Sequence, residues 1–193
     1  YMNVFAISDL HISGDGAKPM DVFGGKWVGY LPKIVADWNK KVSDDDVVLI
    51  CGDISWAMNL PDAIRDLSLI TPLKGNKIIC GSRGWCVEGS PDFKEQDRKI
   101  YLRETERLKL ALSAAEKVRE GGDEIYCMVH FPPFNVRREN SLFTDLFESK
   151  GVSKVIYGHL HGSDSRTDLK IVKNGVEYYL TSCDQVNNEL TLI

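Results

Sequence analysis

Apolar and polar positions alternate along the chain between short, dense hydrophobic runs and longer amphipathic stretches. Five runs are almost unbroken: VFAIS (4–8), VVLIC (47–51), IIC (78–80), IYCMV (125–129) and KVIY (154–157). Runs this short and this rich in β-branched residues predict strands covered on both faces. Nearer the C-terminus, LKIV (169–172) and VEYYLTS (176–182) flank Lys-Asn-Gly and predict a β-hairpin, and LTLI (190–193) predicts an edge strand.

The stretches between them carry helical periodicity. Residues 32–42 place Ile34, Val35, Trp38 and Val42 on one face. Residues 91–120 form the longest candidate helix, with Ser90 as cap, Pro91 in the first turn and Gly121-Gly122 as the stop. Within it Leu108, Ala111, Leu112 and Ala115 make a buried stripe, while the Lys, Arg and Glu positions make a solvent face. A shorter helix at 140–149 is expected to bury Leu142, Phe143, Leu146 and Phe147. Strands alternating with helices predict an α/β fold. With no repeat, low-complexity tract or linker, residues 1–193 read as a single domain.

Composition narrows the functional classes. A chain of 193 residues with 43% hydrophobic and 27% charged content has the balance of an ordinary globular protein. A net charge of −4 gives no general affinity for nucleic acid or an anionic membrane, although it leaves nucleotide substrates open. The five cysteines (Cys51, Cys80, Cys86, Cys127, Cys183) are odd in number and contain no CxxC pair. They read as reduced residues, three of them inside apolar runs, and not as a disulfide frame or zinc knot. A first strand beginning at residue 4 leaves no room for a signal peptide, and no apolar run approaches the roughly 20 residues that span a bilayer. The expectation is a cytoplasmic protein with no membrane partner. Nothing in the pattern specifies an oligomeric state.

The chemistry is concentrated at strand ends. The four histidines, His11, His130, His159 and His161, each fall within a few residues of the C-terminal end of a predicted strand. Open α/β sheets place their ligands at that edge. Asp9 in SDLH and Asp53 in CGDISW follow the first and second strands and join them there. Carboxylate oxygen with imidazole nitrogen suits Mn, Fe, Zn or Co better than Ca. In GHLHG (158–162) the glycines let the backbone turn tightly while both imidazoles converge.

These motifs, in this order, resemble those of the calcineurin-like metallophosphoesterases: D-x-H, then G-D, then G-N-H-[DE], then a lone His, then G-H-x-H. Here they read Asp9-Leu10-His11, Gly52-Asp53, an unmatched third block, His130 and Gly158-His159-Leu160-His161. GDISWAM (52–58) and PMDVFGGKW (19–27) look like a bacterial subgroup of that family, and the resemblance runs from residue 4 to about 162. It implies two mixed β-sheets packed as a sandwich with helices on the outer faces. It implies two divalent cations (Mn, Fe, Zn or similar), one on Asp9, His11, Asp53 and His161, the other on Asp53, His130, His159 and the Asn of the third block. It also implies a metal-activated water attacking a small phosphate ester, with Asp53 bridging the ions.

The third block departs from the family. In register, GSRGW (81–85) puts Ser82 where the family has its ligand Asn and Arg83 where it has its His. Serine is a poor ligand beside an amide oxygen, and Arg cannot donate a proton near neutrality. Alternatively, this block is similar to a later Gly-Thr/Ser-Arg-Gly-Trp element of the subgroup, and LKGNK (73–77) to the turn before the missing strand. A strand–helix–strand unit of roughly 30 residues would then be absent near 77–80. Arg83 has two readings, a bidentate clamp on substrate phosphate with a part in catalysis, or an ion pair within the fold.

The remaining signals have simpler readings. Trp27, Trp56 and Trp85 pack beneath loops, Pro132-Pro133 stiffens the loop presenting His130, and Asp44-Asp45-Asp46 is a solvated turn. Substrate choice falls to loops such as 13–30, 83–92 and 131–140. The competing functions are a non-catalytic metal or phosphate-binding module, should G-N-H-[DE] be truly absent, and a zinc amidohydrolase with similar ligands.

Overall fold

A computed structural model of the chain describes residues 2–13, 18–56, 77–162 and 168–193. It is an α/β structure with two mixed sheets and helices, arranged as two compact units. The first unit draws on Tyr1–Gly75, His161–Leu169 and Thr181–Ile193, the second on Asn76–Leu160 and Lys170–Leu180.

In the first unit β1 (Val4–Ile7) lies between β2 (Val47–Ile50) and β8 (Thr191–Leu192). It pairs in parallel with β2, Val4 opposite Val47 through Ile7 opposite Ile50, and antiparallel with β8. All four β1 residues are buried, as a central strand of this composition requires. Two 3-10 turns, Met20–Phe23 and Gly25–Trp27, lead into α1 (Tyr30–Lys41). This helix starts two residues before the predicted boundary. Tyr30 and Ile34 therefore carry its buried stripe one turn earlier, and Val35 is left exposed. Ile7, Leu10, Met20, Trp27, Tyr30, Ile34 and Cys183 form one core cluster.

The second unit holds a five-stranded sheet in the order β3-β4-β5-β7-β6, from β3 (Lys77–Ser82), β4 (Glu124–Val129), β5 (Val152–Tyr157), β6 (Lys170–Lys173) and β7 (Val176–Leu180). β3, β4, β5 and β7 are parallel neighbours, and β6 closes the edge antiparallel to β7. The β6–β7 loop is Asn174-Gly175, both with positive φ (51° and 83°), the backbone a tight two-residue hairpin turn requires. α2 (Glu95–Val118) buries Leu108, Leu112 and Ala115 as predicted. It begins not at Pro91 but at Glu95, where Lys94 and Asp97 form a capping box that Trp85 supports. The Asp97 carboxylate accepts from Lys94 N (2.9 Å) and from Trp85 Nε1 (3.0 Å). α3 (Leu142–Ser149) is capped by Ser141, whose Oγ accepts from Thr144 N (3.2 Å). Phe143 and Phe147 are buried, whereas Leu142 in the first turn is exposed. Each fully buried Phe or Leu contributes about 1.5–3 kcal/mol of transfer free energy to this core.

No described helix is long and apolar enough to cross a membrane. The expected turn at 73–76 and residues 57–58 of GDISWAM lie outside the described residues.

Candidate metal centre

In the first unit the backbone beyond β1 and β2 continues as a second, irregular ladder. Asp9 N donates to Gly52 O (3.1 Å), His11 N to Asp53 O (2.8 Å), Ile12 N to Ile54 O (2.9 Å) and Trp56 N to Ile12 O (3.0 Å). On the other side Ser8 N donates to Thr181 O (2.8 Å) and Cys183 N to Ser8 O (3.1 Å). The D-x-H segment is thereby held between the G-D segment and residues 181–184. Asp9, His11 and Asp53 all adopt positive φ, 60°, 45° and 45°. L-residues rarely take this conformation without side-chain or functional compensation, and such strain gathers at working sites.

Asp9, His11 and His161 each offer a ligand atom, and these atoms lie within 4.8 Å of one another. Two ligands on one ion, each at about 2.1 Å, sit roughly 3–4 Å apart, so small side-chain movements fit this trio to a single cation. The donor set, one carboxylate and two imidazoles, is chemically that of a borderline divalent transition metal. Asp9 is wholly buried. Its carboxylate accepts a hydrogen bond from Ser8 Oγ, and its Oδ1 lies 3.3 Å from His161 Nε2. Asp53 is half-exposed and places Oδ2 3.9 Å from His11 Nε2.

Rings hold the imidazoles in place. His11 stacks on Trp56 (centroids 5.0 Å, planes 25° apart) and meets Trp27 edge-on at 5.8 Å, while Trp27 lies 5.5 Å from His161. Beneath them Tyr30 Oη donates to Leu10 O (2.8 Å) and His11 O (3.2 Å). Burial foremost, with the Asp21 carboxylate nearby, pushes this phenol up to about 12, so it stays a donor. Trp27 is thus a packing residue, as expected, whereas Trp56 stacks on His11 while staying exposed.

The sequence alone did not single out Asp184. It is 3% exposed, accepts from Gly162 N at Oδ2 (3.0 Å), and sets Oδ1 2.8 Å from His161 Nδ1. Gln185 Nε2 bonds both Asp184 Oδ2 (3.1 Å) and Gly162 O (2.9 Å), tying Gly162 to it. Burial works against charge on His161, but hydrogen bonds to Asp184 and Asp9 outweigh it and push the imidazole up to about 9. Burial likewise raises Asp184, and its bonds from His161 and Gly162 N bring the carboxyl below its usual range. A carboxylate on Nδ1 leaves Nε2 directed at Asp9, the orientation a metal ligand needs. The available signal was positional: like Asp9 and Asp53, Asp184 follows a strand end.

The second unit carries the other expected residues. His130 and His159 face each other with Nε2 and Nδ1 3.2 Å apart, the spacing of adjacent imidazoles on one ion. His159 has φ 71°, and Phe131 packs against both rings. Pro132-Pro133 follows, and Pro133 O accepts from the Ser141 hydroxyl, tying the His130 loop to the start of α3.

Ser82 lies inside β3, paired in register with Val129, and its Oγ accepts from Gly84 N (3.2 Å). Arg83 O accepts from His130 N (2.9 Å) and Phe131 N (3.2 Å). The guanidinium of Arg83 sits over the Trp85 ring (4.4 Å) and 3.6 Å from Glu104, a fully buried carboxylate also met by Arg103 and Arg107 (3.3 and 2.9 Å). Arg83 therefore makes an ion pair within its own unit.

No family model matches the chain, and no curated protein matches it. A solved structure with a similar chain trace is that of a protein of unknown function, AQ665, from Aquifex aeolicus. It is 12% identical, covers 100% of this chain and 96% of that one, and superposes with a TM-score of 0.46. Likeness at that level bears on neither mechanism nor substrate.

Proposed function

We propose that the chain is a metal-dependent phosphoric ester hydrolase of the calcineurin-like metallophosphoesterase type. The observation that carries this reading is one of order and place. D-x-H, G-D, a lone His and G-H-x-H follow one another at strand ends, and Asp9, His11 and His161 bring their ligand atoms within 4.8 Å.

In this reading Asp9, His11, Asp53 and His161 hold one cation, and His130 and His159 contribute to a second. When bound, such ions supply Lewis acidity at a phosphate oxygen and bring a water's pKa toward neutrality. The chain's own work is placement. Ser8 Oγ fixes the Asp9 carboxylate, Asp184 fixes the His161 ring, and the Trp56 and Trp27 rings fix His11. Asp53, half-exposed at its strand end, is open to substrate and solvent. Arg83, exposed over nearly half its side chain, keeps a guanidinium edge for a phosphate oxygen while paired with Glu104.

A second reading, a metal- or phosphate-binding protein without turnover, is favoured by one observation. Ser82 ends β3 and Arg83 follows it, and neither can ligate like Asn or protonate a leaving group like His. One assay separates the two. Purified protein with Mn(II) is expected to release 4-nitrophenol from 4-nitrophenyl phosphate or bis(4-nitrophenyl) phosphate. Asp53→Asn and excess chelator are each expected to abolish that release. Undiminished release in chelator would overturn the proposal, whereas Mn(II) binding with no release would establish the binding protein.

A further inference from the structure

Next to His161 and Asp184 the first unit has a cleft of about 520 Å³, bounded by Met20, Phe23, Gly24, Gly25, Lys26, Trp27 and Gly162. Its volume falls within the range of small-molecule sites. Its walls are chemically divided. One end is the polar pair His161 and Asp184, and the rest is the apolar body of Met20, Phe23 and Trp27.

The sequence PMDVFGGKW builds this cleft. The turn Met20–Phe23 ends where Gly24 and Gly25 take φ 62° and 56°. A side chain placed on either glycine would meet no atom within 4 Å, so the two leave open space that any larger residue would occupy. Asp21 secures the turn by accepting from Gly29 N (2.8 Å), and Gly24 N donates to Asp21 O (2.9 Å). Trp27 is buried and anchored against Tyr30 (5.2 Å) and His161. Phe23 is 69% exposed, a large aromatic ring at the rim with no core to serve. Lys26 is exposed beside it.

We infer that this cleft receives a flat aromatic group of the phosphate ester, with the phosphate directed toward His161 and the ring against Trp27 and Phe23. The inference rests on the hydrolase reading only for where the phosphate sits. An apolar aromatic wall beside a glycine-opened cleft selects planar rings over aliphatic alcohols, because stacking adds to area burial. Lys26 adds attraction for an anionic ester at the mouth. A phenolic ester and a nucleotide share this chemistry.

Binding of non-hydrolysable probes tests the cleft apart from turnover. Isothermal titration of the Mn(II)-loaded protein should show phenylphosphonate binding about tenfold tighter than methylphosphonate. Phe23→Ala, an exposed position whose loss leaves the core intact, should remove most of that preference and leave methylphosphonate unchanged. Adenosine 5′-monophosphate against ribose 5-phosphate distinguishes the sources: a preference for the former assigns a nucleotide, and its absence assigns a phenolic ester. Equal affinity for the two phosphonates, no binding of either, or a preference that survives Phe23→Ala overturns the cleft's role. A phenyl preference without hydrolysis of any ester leaves the cleft standing and removes the hydrolase.

Discussion

At the scale of single residues, the candidate ligands stood out by type and place. A borderline divalent cation takes carboxylates and imidazoles, and Asp9, Asp53 and the four histidines are of those types and follow predicted strand ends. The supporting residues were not legible. Asp184 belongs to no spaced motif, and its contacts exist only because the backbone beyond β7 runs beside Ser8 and His161 and Gly162 bond its carboxylate. The positive φ at Asp9, His11 and Asp53 is equally invisible in one dimension, since it arises from the ladder between two loops. The pairing of Asp184 with His161 makes a direct prediction. Asp184→Asn should weaken Mn(II) or Zn(II) binding about 10- to 100-fold by titration calorimetry, as loss of an outer carboxylate does elsewhere. Asp184→Glu should recover part of that loss, while circular dichroism and melting in chelator stay near those of the parent. Unchanged metal affinity in Asp184→Asn would show the carboxylate to be packing alone. Asp46 answers a different question at the same scale. Hydrogen bonds from Ser43 N and Asn3 N, with Ser43 Oγ, hold its carboxyl down to about 2. The unfolded chain, titrating near 4, binds the proton more readily, so Asp46 stabilises the fold above that pH and loses its effect as pH falls through about 2. Asp46→Ala should therefore melt below the parent at pH 7, with the difference closing between about pH 4 and 2. A difference that stays constant across that range would remove the charge from the explanation.

At the scale of elements, periodicity located the described strands and helices, and tertiary contacts set their ends. β3 was expected at 78–80 and runs to Ser82, because Gly81 and Ser82 continue the ladder opposite Met128 and Val129. No local pattern announces a strand through Gly-Ser. The start of α2 is set by the Lys94–Asp97 capping box, whose carboxylate Trp85 also holds from another segment. Gly81 shows how tightly β3 and β4 approach. A Cβ there would lie 1.9 Å from Met128 O, a backbone atom that cannot swing aside. Gly81→Ala should therefore part the strands and destabilise the protein by about 1–3 kcal/mol, the usual cost of overpacking. For a chain of this size that lowers Tm by roughly 2–4 °C per kcal/mol. Gly121→Ala is the control, because a Cβ there meets nothing within 4 Å, and its Tm should stay within the scatter of neutral surface changes. Equal melting of the two variants would show that the approach at Gly81 relaxes freely.

At the scale of the whole chain, alternation of strand and helix implied the α/β class, but the division of strands between sheets lies in long-range pairing. β1 takes as neighbours β2, some 43 residues on, and β8 at the far end of the sequence. Periodicity is blind to such choices, because every buried strand presents the same apolar run. The first unit thus depends on residues 181–193 returning to it, and it does so around Asp9, a buried carboxylate with His161 beside it. Burying that charge opposes folding unless it is compensated. Ser8 and His161 compensate it, and a divalent cation would do so more completely. A ligand that binds only the folded state stabilises it by RT ln(1 + [L]/Kd), about 2.7 kcal/mol at a hundredfold excess over Kd. Saturating Mn(II) should therefore raise Tm by roughly 5–10 °C, at about 2–4 °C per kcal/mol, and chelator should reverse the rise. In Asp9→Asn the rise should vanish while the variant's own melting in chelator remains cooperative. If the rise persists in Asp9→Asn, the cation binds elsewhere. If Mn, Fe, Co and Zn all leave Tm unmoved, the donors around Asp9 are a polar network that completes the fold and no more.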